Sequence, residues 1–449
     1  EAKGEASVAI SGTKKQESEE AKDKASIAIS GTKKQESEEA KDEASIDISG
    51  SSSSSSSSSR SRSSRSSRSS SNKEAFALPF WNYDHPSGMT IPEAYMKFPN
   101  LTDAYRDPSR LPPATVMVDY YYMNESMRTQ GEQIAANLAA FHRMVVTGAT
   151  TQYAFHGQPY RKDDQPEPGY GTVETMPHNS VHGWTGDHNQ IGGKDMGTLY
   201  AAGRDPVFYA HHANMDRLWE VWKTLGNNQD ISDEDYLNSE FVFYNEYAEL
   251  VKVKVKDSLD PIKLGFTYAD VENLWINTSS PSESGGLVAT LSDTDAVCAM
   301  GEELVDPCSV VLSRDTAAHS VNAIGEGEEM ILIDGIEGVL DAPAHFEAYL
   351  NLPQANVSSS VNCAEFVGRF STMPQLLYNN MTGNYRKTSI RFPIGNNIET
   401  LGLSQEENVI VTLVPRTDSA YSTVRVKSIS LYYETEGLSR SRRRGSAFV

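Results

Sequence analysis

Five of the ten histidines in the sequence lie between positions 178 and 212, and four of them form two close pairs. His178 and His182 stand four apart, and His211 and His212 are adjacent about thirty residues later. Four residues is slightly more than one helical turn, so His178 and His182 can project from a single helix face. Two imidazoles at that spacing, joined by a third from another helix, suit a borderline transition metal such as copper or zinc. No cysteine and no clustered carboxylates compete for the role in this stretch. Neighbours on a helix point about 100° apart. Of His211 and His212, one is therefore expected to face the metal while the other packs or hydrogen-bonds behind it.

The elements that must position these side chains are partly readable. The second histidine pair sits in FYAHHANMDRLWEVW, a Met- and Trp-bearing helical stretch. Residues 132–147, EQIAANLAAFHRMVVT, place apolar side chains at helical spacing and read as a buried helix, with His142 a packing or surface residue. The segment FALPFWNYD at 76–84 is rich in aromatics and must pack against something.

Taken in order, HNSVHGWTG at 178–186, MG at 196–197, AGRDP at 202–206 and FYAHHANMDRLW at 208–219 resemble the second-copper half of the plant polyphenol oxidases. This is the catechol oxidase and tyrosinase family. The resemblance implies copper as cofactor, bound by His178, His182 and His212, with His211 and Asp216 behind the ligands. It implies that Glu174 and Asn179 hold a water that assists phenol deprotonation. An exposed acid at a helix start would account for Glu174 equally well, and a surface ion pair with Arg217 for Asp216. Leu199 stands where the family often has a shielding phenylalanine, and Gly183 leaves the substrate side uncrowded. The implied reaction is oxidation of o-diphenols by dioxygen to o-quinones, with a phenolic small molecule and dioxygen as partners.

Family members use two coppers, each held by three histidines, so that two metals supply the two electrons dioxygen needs. The first-copper half should precede the aromatic segment at 76–84, yet residues 1–75 contain no histidine. His85, His142, His156, His188, His319 and His345 are scattered singly. At most one copper is therefore expected here, with impaired or absent oxidase activity. A non-catalytic pseudoenzyme or interaction protein using the C-terminal domain is the alternative. Loss of one helix pair from the family's four-helix bundle is also expected to leave Phe80, Trp81, Phe208, Met215 and Trp219 partly open and the protein poorly stable.

The rest of the chain bounds the class. Residues 1–72 are expected to be disordered: copies of EAKxxASxxISGTKKQESE with a period of nineteen, then a Ser/Arg tract, with too little apolar surface to offset ordering entropy. Residues 73–231 read as the copper domain, and 232–285 resemble the family's middle segment, with Tyr236 where a tryptophan is usual. Residues 286–328 read as a linker, 329–436 as a C-terminal antiparallel β-sandwich with strand-like runs at 330–333, 389–392, 408–414 and 428–433, and 437–449 as a basic tail. The expected fold class is α+β, a helical bundle remnant followed by the sandwich. A net charge of −21 argues against nucleic acid, and no apolar run approaches the roughly 20 residues of a membrane helix. Cys298 and Cys308 could bridge or remain thiols. Relatives reside in plastids or vacuoles, but no targeting segment is recognisable.

Overall fold

The Val207–Lys223 helix is the axis of the N-terminal part. The Asp205 carboxylate accepts from the Val207 N–H at 2.9 Å, satisfying a donor of the first turn, and Lys223 sits in the last turn, where a cation suits the dipole. Ala210, Leu218 and Trp222 point inward and are fully buried. Around them pack the Gln130–Phe141 helix, whose start is closed by a Thr129/Glu132 capping box, and Ser180–Thr185. Trp81, Tyr83, Trp184 and Trp275 complete the core. This computed structural model describes residues 27–29, 77–121, 128–161, 164, 169–226, 228–293, 295–314, 327–375, 385–416 and 423–435. The expectations for the Ser/Arg tract, the basic tail, His319 and all but Ile27–Ile29 of the repeats lie outside them.

Strand β1, Ile27–Ile29, pairs antiparallel with β2, Pro79–Trp81. Next come the hairpin strands β3, Glu240–Tyr244, and β4, Leu250–Lys254. The C-terminal part holds two four-stranded sheets. In one, the order is β5 (Cys308–Ser313), β10 (Asn408–Pro415), β7 (His345–Leu350) and β8 (Phe366–Ser371). In the other, β6 (Gly327–Val339) pairs with β9 (Tyr385–Pro393) on one side, and with β11 (Val424–Arg425) and β12 (Ser428–Thr435) on the other. Every pairing is antiparallel. Ile331 and Ile333 of β6 share one apolar core with Phe346 of β7, Phe370 of β8 and Val411 of β10. No helix among the described residues is long and apolar enough to cross a membrane.

The two parts are sewn together. The buried Arg143 guanidinium donates to the Val367 carbonyl at 2.6 Å and also to that of Pro393. Tyr349, Phe366 and Val414 belong to the same core cluster as Trp81 and Trp222.

Two expectations need correction. Residues 286–328 are not merely a linker: β5 falls within them, hydrogen-bonded along β10, and a Cys298–Cys308 disulfide fastens its start. Phe80 and Trp81 are fully buried rather than partly open. Tyr268, Ala269 and Val271 of the middle segment close over Phe80, and Trp81 packs against Tyr83 and Trp184. Phe208, Met215 and Trp219 are half-buried, as anticipated. Apolar exposure concentrates instead on the β3–β4 hairpin, where Phe243 is 56% and Tyr244 74% exposed.

A buried node explains the closure. Asp84 pairs with Arg217 and accepts from Asn214 at 3.0 Å and Trp275 at 2.9 Å. Burial opposes its ionisation, but the charge and hydrogen bond of Arg217, with those of Trp275 and Asn214, outweigh it and hold the carboxyl below its ordinary value. Asp84→Ala would strand the Arg217 guanidinium and is expected to cost about 3 kcal/mol. The check is denaturant unfolding against the native chain; a change under about 0.5 kcal/mol, typical of a surface site, would refute the role.

Candidate metal centre

His178 lies in the turn leading into Ser180–Thr185, and His182 sits one turn further on. Asn179 and Ser180 keep right-handed helical dihedrals, so the four-residue spacing does bring both rings to one side. The Val207–Lys223 helix supplies His211 and His212. All four imidazoles converge. The six ring-centroid distances among them are 4.6, 5.2, 5.0, 4.7, 5.2 and 5.1 Å. Ligand nitrogens of His178, His182 and His211 lie within 4.8 Å of one another, and His212 Nε2 stands 3.0 Å from His178 Nε2.

The expected division of labour within the adjacent pair therefore takes another form. His211 is not behind the cluster but in it. The 100° separation fixes where the two Cα–Cβ bonds start, and an imidazole reaches far enough for two neighbours to turn toward one point.

Every Nδ1 has a partner on the outer side. His182 Nδ1 meets the Met196 carbonyl at 2.7 Å, and His212 Nδ1 the Phe208 carbonyl at 2.8 Å. His178 Nδ1 meets Asn179 Oδ1 at 2.9 Å, and Asn179 Nδ2 donates to the Ser371 carbonyl, which orients the amide. These three partners only accept, so each of those Nδ1 atoms carries the proton and each Nε2 a bare lone pair. His211 Nδ1 meets the Tyr83 hydroxyl at 2.9 Å, and that hydroxyl is 3.8 Å from Met215 Sδ.

Burial, and then the nearby His212, push His178 down to about 3. His182 and His211 are held well below the ordinary value, again by burial first and by neighbouring imidazoles second. Burial lowers His212 as well. The cluster is thus neutral at pH 7, the form that binds metal.

The residues fit a metal ion. Two lone pairs facing each other at 3.0 Å repel unless a cation lies between their axes. Nitrogens bound to one ion at about 2.0–2.1 Å would stand about 3 Å apart. His211 Nε2 is buried and makes no hydrogen bond. Among the described residues, no second group of three such side chains gathers. His142 bonds backbone carbonyls at 275 and 276, His188 bonds Asp107, His85 bonds Ser87, and His345 is buried on β7.

The remaining candidates fall around this cluster unevenly. Asp216 does not orient an imidazole: it accepts from the Tyr268 hydroxyl, and Arg217, its suggested ion partner, turns to Asp84. Glu174 is exposed. Gly183 has only ordinary contact with the Tyr120 ring, so the backbone there is uncrowded. Leu199 is 48% exposed, its N–H held by the Pro374 carbonyl. A cavity of about 380 Å³ opens beside His212, lined by His156, Asp216, Trp219, Tyr236 and Phe241. Sequence reasoning missed Tyr83, which no spacing connects to His211, 128 residues away.

A neutral imidazole cluster between two helices, backed by antiparallel sheets, defines a histidine-bound metalloprotein. Three family models match its parts: the common central domain of tyrosinase over residues 60–225, the polyphenol oxidase middle domain over 230–281, and the chloroplastic polyphenol oxidase C-terminal domain over 301–432. The structure of latent apple tyrosinase superposes with a TM-score of 0.72 at 35% identity, covering 80% of this chain and 77% of that one. Latent aurone synthase superposes with a TM-score of 0.70 at 31% identity, covering 80% and 71%. Aureusidin synthase of Antirrhinum majus is 37% identical over 374 residues, 80% of this chain and 65% of its own length. A chloroplastic polyphenol oxidase of Malus domestica is 36% identical over 382 residues, 81% and 63%. The chain thus spans a little under two thirds of these curated relatives. It belongs to the plant polyphenol oxidase family, whose sites are binuclear copper centres.

Proposed function

We propose that this chain holds one copper at the His178, His182 and His212 cluster, and that as this sequence stands it oxidises o-diphenols to o-quinones weakly or not at all. The support is the gathering of His178, His182 and His211 nitrogens within 4.8 Å of one another among the described residues, with His212 Nε2 3.0 Å from His178 Nε2, and the lack of any histidine in residues 1–75. Bound copper would supply one-electron redox chemistry. The chain's own residues hold the rings: Asn179, Met196 and Phe208 keep the ring protons outward, and burial keeps the imidazoles neutral.

A phenolic ring would enter the cavity beside His212, flanked by Trp219 and Phe241. Leu199, half-exposed, and Gly183, uncrowded, lie outside the lining of this cavity. Asn179, held by Ser371 and His178, serves the ligand more directly than it serves a water shared with Glu174. In this reading the helices are half of a four-helix copper bundle and the two sheets a β-sandwich against it. The relatives named chloroplastic make a plastid the natural compartment.

The same single cluster favours a second reading, a protein that retains the metal without turnover. Metal analysis and catechol turnover decide between them and a complete enzyme. About one copper per chain and no quinone are expected; two coppers with sustained quinone formation would defeat the proposal.

A further inference from the structure

We propose that the Cys298–Cys308 disulfide is a thiol–disulfide exchange site, which takes a dithiol reductant and, once opened, releases the segment it closes from both sheets of the C-terminal part.

Three observations carry it. First, one short segment ties together the outer strands of the two sheets. β5 stands at the end of one sheet and β11 at the end of the other. Val297 forms a parallel bridge with Ser309 of β5. The Cys298 N–H donates to the Ser309 carbonyl at 3.0 Å, and the Ser309 N–H to the Ala296 carbonyl at 2.8 Å. A few residues on, Glu303 bridges Arg425 of β11. The Gly301 and Leu304 N–H groups donate to the Val426 and Val424 carbonyls at 2.8 and 2.7 Å. The disulfide closes this strap on itself across ten residues.

Second, the strap has little apolar anchorage. Val297, Met300 and Val305 are exposed, as are Ala299, Gly301, Glu302 and Glu303, while Leu304 packs partly against the core between the sheets. A segment with few buried apolar contacts and solvent-facing backbone hydrogen bonds opens easily. In the chain-entropy account, a disulfide across a loop of this length suppresses its open states by roughly 100-fold.

Third, Cys298 and Cys308 are only half-buried. The chain's remaining cysteine, Cys363, is buried, and its thiol donates to the Ser360 carbonyl at 3.1 Å. Exchange requires a thiolate to reach one sulfur of the bond, and exposed disulfides are the labile ones.

In the exchange, a thiolate of the reductant attacks one sulfur and the other leaves as a thiolate. The reductant's second thiol then resolves the mixed disulfide. Two electrons and two protons pass to Cys298 and Cys308, and the reductant is left as a disulfide. The Val424 and Val426 carbonyls lose their donors from the strap, which uncovers the outer edge of β11. Such an edge is a template for another strand, so the redox state of this pair sets whether the molecule presents one.

The test uses the full chain, dithiothreitol as the dithiol, and hydrogen exchange read by mass spectrometry. On reduction under native conditions, Cys298 and Cys308 should become open to alkylation while Cys363 stays protected. Peptides spanning 296–307 should exchange about 100-fold faster at their protected amides, and those of β7 and β10 should keep their rates. A double variant, Cys298→Ser with Cys308→Ser, should show the fast exchange without reductant and no further response to it. A disulfide that dithiothreitol leaves closed would overturn the proposal, as would unchanged exchange over 296–307 after opening. Loss of protection throughout β7 and β10, or a double variant that keeps the native rates or fails to fold, would overturn it as well.

Discussion

Stripped of metal, the protein is expected to unfold between about pH 6 and 5, and metal loading should move that transition downward by a pH unit or more. Burial, aided by the charges of Arg369 and Arg386, holds His345 at about 3, and burial with His212 holds His178 at about 3. Both are depressed below the ordinary unfolded value of about 6.5. Their neutral burial is therefore tolerated in full above about pH 6.5. As the pH falls, the unfolded chain takes up protons the folded chain refuses, and stability drains away until the folded value near 3 is reached. At pH 5 each of these two groups costs about 2 kcal/mol. His182, His211 and His212 are lowered in the same direction. A total of about 4 kcal/mol or more is large against a net stability of about 5–15 kcal/mol. A bound cation competes with protons for the same lone pairs, so the metal-loaded form should lose only the His345 contribution in this window. Far-UV circular dichroism followed against pH, with and without metal, is the measurement. A metal-free protein unchanged from pH 8 to 4 would contradict the assignment of these buried rings.

How much of this could be read from the chain differs by element. The four-residue spacing of His178 and His182 was legible because a helix converts sequence distance directly into direction. The same rule misled at His211 and His212, since it describes where side chains leave the backbone and not where an imidazole's far nitrogen arrives. Tyr83 and Asp84 were invisible as partners of His211 and Arg217, because such contacts are made by the fold across more than a hundred residues. Strand-like runs at 330–333, 389–392, 408–414 and 428–433 all lie in strands, their apolar alternation or continuity being local. Strand β5 was missed because its short run, CSVVLS, sits in a stretch whose Ser, Gly and acidic content reads as connection. What fixes it is pairing with β10, a hundred residues away. The expectation of an open Phe80 and Trp81 failed for a related reason. It took away a bundle half without adding the cover that Tyr268 and Val271 bring to Phe80 from the middle segment, and that Tyr83 and Trp184 bring to Trp81.

The other large effect should come from a site with no part in the chemistry. Glu347 of β7 is fully buried and paired with both Arg369 of β8 and Arg416, just beyond β10. It also accepts from the Tyr349 hydroxyl at 2.8 Å. Arg369 reaches on to the Tyr120 carbonyl at 2.8 Å, and the Arg369 and Arg416 guanidiniums lie 5.9 and 5.2 Å from the Tyr121 ring centroid, so one carboxylate anchors two cations that join the sheet to the N-terminal part. Burial raises the Glu347 carboxyl, but the charges of Arg416 and Arg369 with their hydrogen bonds outweigh it and bring it to about 2. Glu347→Gln would leave two guanidiniums buried side by side without a counter-charge, which is expected to cost about 5 kcal/mol or more. That approaches the stability of a whole domain, so little soluble protein should accumulate. A double variant, Glu347→Gln with Arg416→Met, removes one of the stranded cations and should recover part of the loss; a double variant less stable than the single one would refute the coupling. The two large effects separate by pH. A depressed carboxyl contributes stability that is present above about pH 4.5 and is lost only as the pH falls through about 2. Acid sensitivity between pH 6 and 5 therefore belongs to the histidines and should persist, for a Glu347 variant that still folds, on top of a stability already lowered at pH 7.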